Sequence, residues 1–221
     1  MGWLEFAAAY AAFFITHSLP VRPPLRPMLQ TALGPRGFTL AYSALSLAAL
    51  AWLIVAAGRA PFVPLWNWAP WQLYVPLVAM LPVCLILALA IARPNPFSFG
   101  GALNAKFDPA RPGIVRLHCH PLLLALALWA TAHAVPNGDL AHLILFCTFA
   151  IFAILGTRLV DRRRQREMGD TWQKLRSEVA RTPRWPPSLT GDDALRLVAG
   201  LLLYATLIWL HPALIGVSPL P

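Results

Sequence analysis

Long apolar runs, broken only by short charged segments, dominate the chain. Six stretches contain no Asp, Glu, Lys or Arg: 6–21, 37–58, 60–92, 117–138, 140–157 and 197–221. A helix needs roughly 20 apolar residues to cross a hydrocarbon core of about 30 Å. Lipid offers the backbone no hydrogen-bond partners, and these runs lack the alternation of a transmembrane barrel strand. The pattern therefore predicts an all-α, polytopic membrane helix bundle with about six transmembrane helices, forming a single domain over residues 1–221.

Short interfacial helices are predicted between the spans on the cytoplasmic side. Residues 23–33 fit one such helix, with Gly34 and Pro35 as its stop signal. Residues 161–176 fit a helix that extends the fifth span into the cytoplasm. Three apolar residues at helical spacing form a stripe that we expect to lie on the lipid headgroups: Trp172, Leu175 and Val179.

The third apolar stretch, residues 60–92, is rich in proline and is too long to be a single helix of one span. We predict an outer loop over residues 61–70 and a helix over residues 71–93 that its prolines kink. Residues 97–112 are polar and rich in Gly and Pro, which indicates a loop. The Pro-Arg-Trp-Pro-Pro run at 183–187 is expected to break the chain before the last span.

Charge sets the expected orientation. The chain has 18 Lys and Arg against 9 Asp and Glu, a net charge of +9, and all but one of the basic residues fall on the loops after spans one, three and five. The exception is Arg59. The positive-inside rule then places these loops in the cytoplasm and both termini outward. The basic charge is thus a topology signal that also suits anionic membrane lipids, and it gives no reason to infer a nucleic-acid partner.

Cysteine and histidine are the remaining chemical resources. The three cysteines form no CxxC pair, so their spacing predicts neither a disulfide framework nor a zinc knuckle. Depth in the predicted spans sorts the histidines into an inner group, His17, His118 and His120, and an outer group, His133, His142 and His211. His118-Cys119-His120 is not a predicted metal site, because consecutive residues on a helix point about 100° apart.

Histidines on different helices of a bundle suit haem better than zinc, because haem iron takes axial imidazoles and bundle cores house such cofactors. The alternative, which residue types alone favour, is that each histidine hydrogen-bonds a neighbouring helix. Both interpretations stay open on the pattern alone.

Several short motifs along the chain carry a family resemblance. They are His17-Ser18-Leu19-Pro20, Gly34-Pro35-Arg36-Gly37, His120-Pro121, Leu128 to His133, Asn137-Gly138-Asp139 and His211-Pro212. Together they resemble the NnrU family of bacterial membrane proteins over nearly the whole chain. That family is similar to zeta-carotene isomerase, a membrane protein that carries haem b, and its members tend to accompany nitrite and nitric oxide reduction genes. The resemblance implies a multi-pass protein of the bacterial inner membrane, associated with denitrification.

The resemblance also implies site residues. His17 and His133 match the isomerase's haem ligands, and His120 matches a further histidine of both families. The implied cofactor is haem b, with redox or isomerase-like chemistry on a hydrophobic small molecule or nitric oxide. Cys119 stands where the family usually has Arg, and Ala130 stands where the isomerase has a cysteine proposed as an alternative ligand.

Helix geometry limits which histidines can share one iron. His120 and His133 are thirteen residues apart, about 20 Å along a helix. The predicted topology puts His17 near the depth of His120 and far from His133. Three arrangements would place two histidines at one depth. The first helix is short and tilted, so that His17 reaches His133; or His17 pairs with His120; or His133 pairs with His211.

A second resemblance gives an alternative function. Residues 113–116 before His120-Pro121 look like the entry to the catalytic helix of isoprenylcysteine carboxyl methyltransferase, and residues 167–187 are similar to its tail. Those enzymes bind S-adenosylmethionine where the cytoplasmic ends of these elements meet. Cys119, Trp172 and Leu175 depart from that pattern. A non-enzymatic accessory subunit is the third hypothesis. The sequence leaves open whether the protein is an enzyme.

Overall fold

The computed structural model describes residues 2–99, 102–183 and 191–220, and helices make up most of them. The helices are α1 (Gly2–Ser18), α2 (Leu25–Arg59), α3 (Tyr74–Ala90), α4 (Pro121–Ala134), α5 (Leu140–Met168), α6 (Asp170–Arg181) and α7 (Gly191–Ile215). Short 3-10 turns lie at Pro70–Leu73, Asn104–Lys106 and Gly113–Arg116. The described ranges contain no strand beyond one isolated bridge between Pro64 and Asp139. The all-α membrane bundle is confirmed.

Each of the six charge-free stretches contains a helix. Four helices are long and apolar enough to cross a membrane: α2, α3 together with the turn before it, α5 and α7. The other two, α1 and α4, have 17 and 14 residues. At 1.5 Å per residue α4 is about 21 Å long. It is shorter than the 117–138 stretch because Pro121 begins it, a position where the missing proline N–H costs nothing.

Two glycines divide the long helical segments. Gly34 has φ 71° and ψ 162°, which breaks the ladder between residues 25–33 and the rest of α2. This confirms the predicted end of the first interfacial helix. Gly169, at φ 56°, separates α5 from α6. The prediction of one helix over residues 161–176 was therefore wrong, because the chain turns sharply at this glycine.

Backbone contacts divide the chain into two compact units. The first comprises Met1–Trp66 and Gly138–Leu145, and the second comprises Asn67–Asn137 and Phe146–Pro221. The single domain stays a prediction. The break expected at 183–187 lies almost entirely outside the described residues.

Small residues bring α1 and α2 together in the first unit. Ala9 and Ala56 are fully buried, which allows the close backbone approach typical of membrane helices. Glu5 and Arg59 pair across the two helices at 3.3 Å. The N–H of Leu65 donates to the carbonyl oxygen of Gly138 at 2.7 Å, which ties the start of α5 to this unit.

In the second unit α3 packs against both α4 and α7. A Cβ built on Gly200 would lie 3.1 Å from the Cα of Leu85, so this glycine allows α7 to approach α3 closely. The hydroxyl of Tyr204 donates to the Leu77 carbonyl at 2.9 Å, and Arg196 donates to the Ala88 carbonyl at the other end of α3. Two side-chain hydrogen bonds, near opposite ends of α3, therefore hold α7 against it.

Candidate functional site

His120 lies at the centre of a buried polar network in the second unit. It precedes α4 and is 3% exposed. Its Nε2 lies 3.0 Å from Asp161 Oδ1 on α5, and its Nδ1 lies 3.1 Å from Ser98 Oγ. Since an ionised carboxylate only accepts hydrogen bonds, Nε2–H donates to Asp161 and Nδ1 accepts from the Ser98 hydroxyl. Arg164 closes the network by donating to the Ser98 carbonyl at 2.9 Å.

This network gives His120 a structural role. Burial lowers the pKa of His120 despite the opposing Asp161 carboxylate, so the ring is neutral near pH 7. Both ring nitrogens already have partners, and haem ligation would require one of them to leave. His120 therefore does not fit an axial ligand, although the sequence singles it out as cofactor-binding.

His118 and Cys119 lie next to this network, outside α4. His118, Cys119 and His120 lie in a turn before α4 and not on the helix, and the His120 N–H donates to His118 Nδ1 at 3.1 Å. No group of three or more His, Cys, Asp or Glu side chains able to hold a metal ion occurs in the part of the chain that the structure describes. Burial raises the pKa of the Cys119 thiol despite nearby Arg176, so this sulfur is a poor thiolate ligand.

The apolar stripe of α6 packs into protein and not onto headgroups. Val179 is 4% exposed and contacts Phe97 and Val115 in a cluster that we call the basal cluster. Trp172 and Leu175 pack against it from α6. The prediction that this stripe lies on the membrane surface was therefore wrong. The sequence shows the stripe but not its partner, because Phe97 comes from a loop that reads as polar.

Arginines hold α6 in this position. The Arg176 guanidinium lies 5.2 Å from the ring centre of Trp172 and 5.8 Å from that of Phe97, and it also contacts the Cys119 sulfur. Arg116 donates to the carbonyls of Thr182 and Ala180 at 2.6 and 3.0 Å. Side-chain contacts from Arg116 and Arg176 thus join residues 113–121 to α6.

His133 lies in the last turn of α4 and is half-buried. Its Nδ1–H donates to the Trp129 carbonyl at 2.8 Å, which fixes the ring tautomer. The rings of Trp129 and Phe146 lie 5.3 and 5.7 Å from the imidazole centre. Nε2 makes no hydrogen bond within the described ranges. A histidine that donates through one nitrogen to a backbone carbonyl and keeps the other available is the usual arrangement of a metal ligand.

His211 on α7 has the same arrangement in the same unit. Its Nδ1–H donates to the Val217 carbonyl at 2.8 Å. α4 and α7 both pack on α3, so His133 and His211 lie on helices of the same unit.

His17 belongs to the first unit, at the end of α1. It stacks on Phe13 with a ring-centre distance of 5.3 Å. The Tyr42 hydroxyl donates to the His17 carbonyl at 2.8 Å and lies 3.4 Å from His17 Nδ1. His142 is committed to Asp139, with 2.7 Å between Nδ1 and Oδ2.

Comparison with known proteins places the chain. No curated protein and no solved structure matches it. A family profile described as NnrU protein matches residues 5–219, nearly the whole chain. With its apolar helices, the chain belongs to the NnrU family and is a multi-pass membrane protein.

Proposed function

We propose that this protein binds haem b in the membrane and that His133 is one axial ligand of the iron. The observation that carries the proposal is the His133 geometry. Its Nδ1 is held by the Trp129 carbonyl, its Nε2 makes no hydrogen bond in the described chain, and aromatic rings flank it. An imidazole oriented by a backbone carbonyl and flanked by aromatic rings fits the chemistry of a haem ligand.

Two histidines compete for the second axial position. His17 is the ligand that the family resemblance implies. His211 is the alternative within the second unit, because it too donates Nδ1–H to a backbone carbonyl. The spectra below decide between His17 and His211 as the second ligand.

Bound haem b would supply one-electron chemistry, or an iron site for a polyene or nitric oxide. The chain itself contributes orientation, through the Trp129 carbonyl, and exclusion of water, through Trp129 and Phe146. We further propose the bacterial inner membrane as the location, basic loops against anionic lipid, and a role in denitrification.

Absorption spectra of four alanine variants, purified after expression with added haem, test the ligand assignment. His133→Ala is expected to lower the haem-to-protein ratio at least tenfold or to move the Soret band, because an axial bond is lost. Whichever of His17→Ala and His211→Ala also changes the spectrum identifies the second ligand. His142→Ala is the matched control, since its ring is committed to Asp139. An unchanged His133→Ala spectrum in a haem-loaded protein would refute the assignment.

A methyltransferase-like function is the second candidate. The observation that favours it is the direct bonding of Arg116 to the end of α6, which joins the two segments of that resemblance. Calorimetric titration with millimolar S-adenosylmethionine tests it, and absence of heat would exclude it. A chain that binds neither cofactor would favour the accessory-subunit hypothesis, for which a mild-detergent pull-down should recover a stoichiometric partner.

A further inference from the structure

A cavity of about 250 Å³ opens beside the end of α3, separate from the histidines. Its lining includes three cationic and two acidic side chains: Arg93, Lys106, Arg111, Asp108 and Asp193. Leu89, Phe107 and Ile114 supply apolar wall. All of these residues belong to the second unit.

The charges in the cavity do not cancel. Arg93 pairs with Asp193 and also with Asp192, which Arg196 balances. Arg111 Nε lies 3.0 Å from Asp108 Oδ2. The Ala110 N–H and then Arg111 lower the pKa of Asp108, so its carboxylate stays ionised at neutral pH. Lys106 has no ion-pair or hydrogen-bond partner for its side chain in the described part of the chain. One ammonium group therefore remains available, and the described lining residues carry a net charge of about +1 at neutral pH.

The position and the lining of the cavity indicate the class of ligand that it would bind. The charge distribution predicts that this end of α3 faces the cytoplasm, where a hydrocarbon boundary meets anionic headgroups. Apolar wall beside an unpaired cation suits an amphipathic anion. A net charge near +1 suits one phosphate and is too low for a polyanion.

We propose that this cavity binds a single phosphate group through Lys106, with Arg93 and Arg111 beside it. A phospholipid headgroup and free inorganic phosphate share this chemistry. The site is independent of the haem proposal, because none of its residues contacts His133 or its ring partners in the described hydrogen bonds and ring contacts.

The two lysines of the chain give a matched test, because Lys106 lines the cavity and Lys174 is exposed on α6. Full-length protein in maltoside micelles is mixed with short-chain phosphatidylglycerol in one arm and inorganic phosphate in the other. Labelling of each lysine by an amine-reactive reagent is followed by peptide mass spectrometry. We expect phosphatidylglycerol to slow labelling of Lys106 at least threefold relative to Lys174. Slowing by inorganic phosphate as well would identify free phosphate as sufficient.

Native mass spectrometry tests the same site without an amine-reactive reagent, because it measures how much lipid the protein retains. The Lys106→Gln variant should retain at least threefold less phosphatidylglycerol than the unsubstituted protein. The Lys174→Gln variant should retain as much as the unsubstituted protein. Both substitutions are at exposed positions, so folding is expected to persist. Equal behaviour of the two lysines in labelling, or equal lipid retention by the two variants, would overturn the proposal.

Discussion

Val179→Asp is expected to lower the free energy of unfolding by about 3 kcal/mol, because it places an unpaired carboxylate in the basal cluster. Val179 is 4% exposed and contacts Phe97 and Val115. Loss of this packing should release α6 and open its arginines to trypsin. Thermal unfolding in detergent and the rate of cleavage within α6 measure the two effects.

Ala180→Asp is the matched control on the same helix. Ala180 is exposed, so its aspartate remains in solvent and the expected change is within about 0.5 kcal/mol. Were the apolar stripe of α6 lying on headgroups, the two aspartates would face similar surroundings. Equal melting temperatures for the two variants would therefore contradict the packing of Val179 described above.

His120→Ala is expected to be similarly destabilising, by about 3 kcal/mol. It removes one buried and one partly buried hydrogen bond, leaves the Ser98 hydroxyl and the Asp161 carboxylate without this partner, and creates a cavity. Chemical unfolding of the purified protein measures the loss. His118→Ala removes the half-buried ring whose Nδ1 accepts a hydrogen bond from the His120 N–H. We expect it to lower the free energy of unfolding by about 1 kcal/mol.

The same His120→Ala protein separates structure from ligation. If His120 only supports the fold, the folded fraction keeps the Soret position and haem content of the unsubstituted protein. A shifted Soret band with unchanged stability would instead make His120 a ligand and would contradict its structural role.

The helices were predictable because lipid imposes a simple rule, long uncharged runs, and six such runs became six helices. The Gly34 break was predictable for a local reason, since glycine and proline stand together there. The break at Gly169 carries the same kind of signal, a glycine within a helical run. The structure follows that signal, because α5 ends at Met168 and α6 begins at Asp170.

Tertiary partners were less predictable. The α6 stripe is visible from spacing, but its burial depends on Phe97, which a Gly/Pro-rich segment delivers from far away along the chain. The role of His120 depends on Ser98 and Asp161, residues that no motif connects with it. By contrast, the bond from His133 to the Trp129 carbonyl is local, four residues back on one helix.

The absorption spectrum of the unsubstituted protein, purified from membranes after expression with added haem, tests the central claim most directly. A Soret band together with a pyridine haemochromogen spectrum of b-type haem, near one haem per chain, is the predicted result. A protein that is folded by its melting curve and shows no Soret band would contradict the haem function, while the helix bundle and its family would stand.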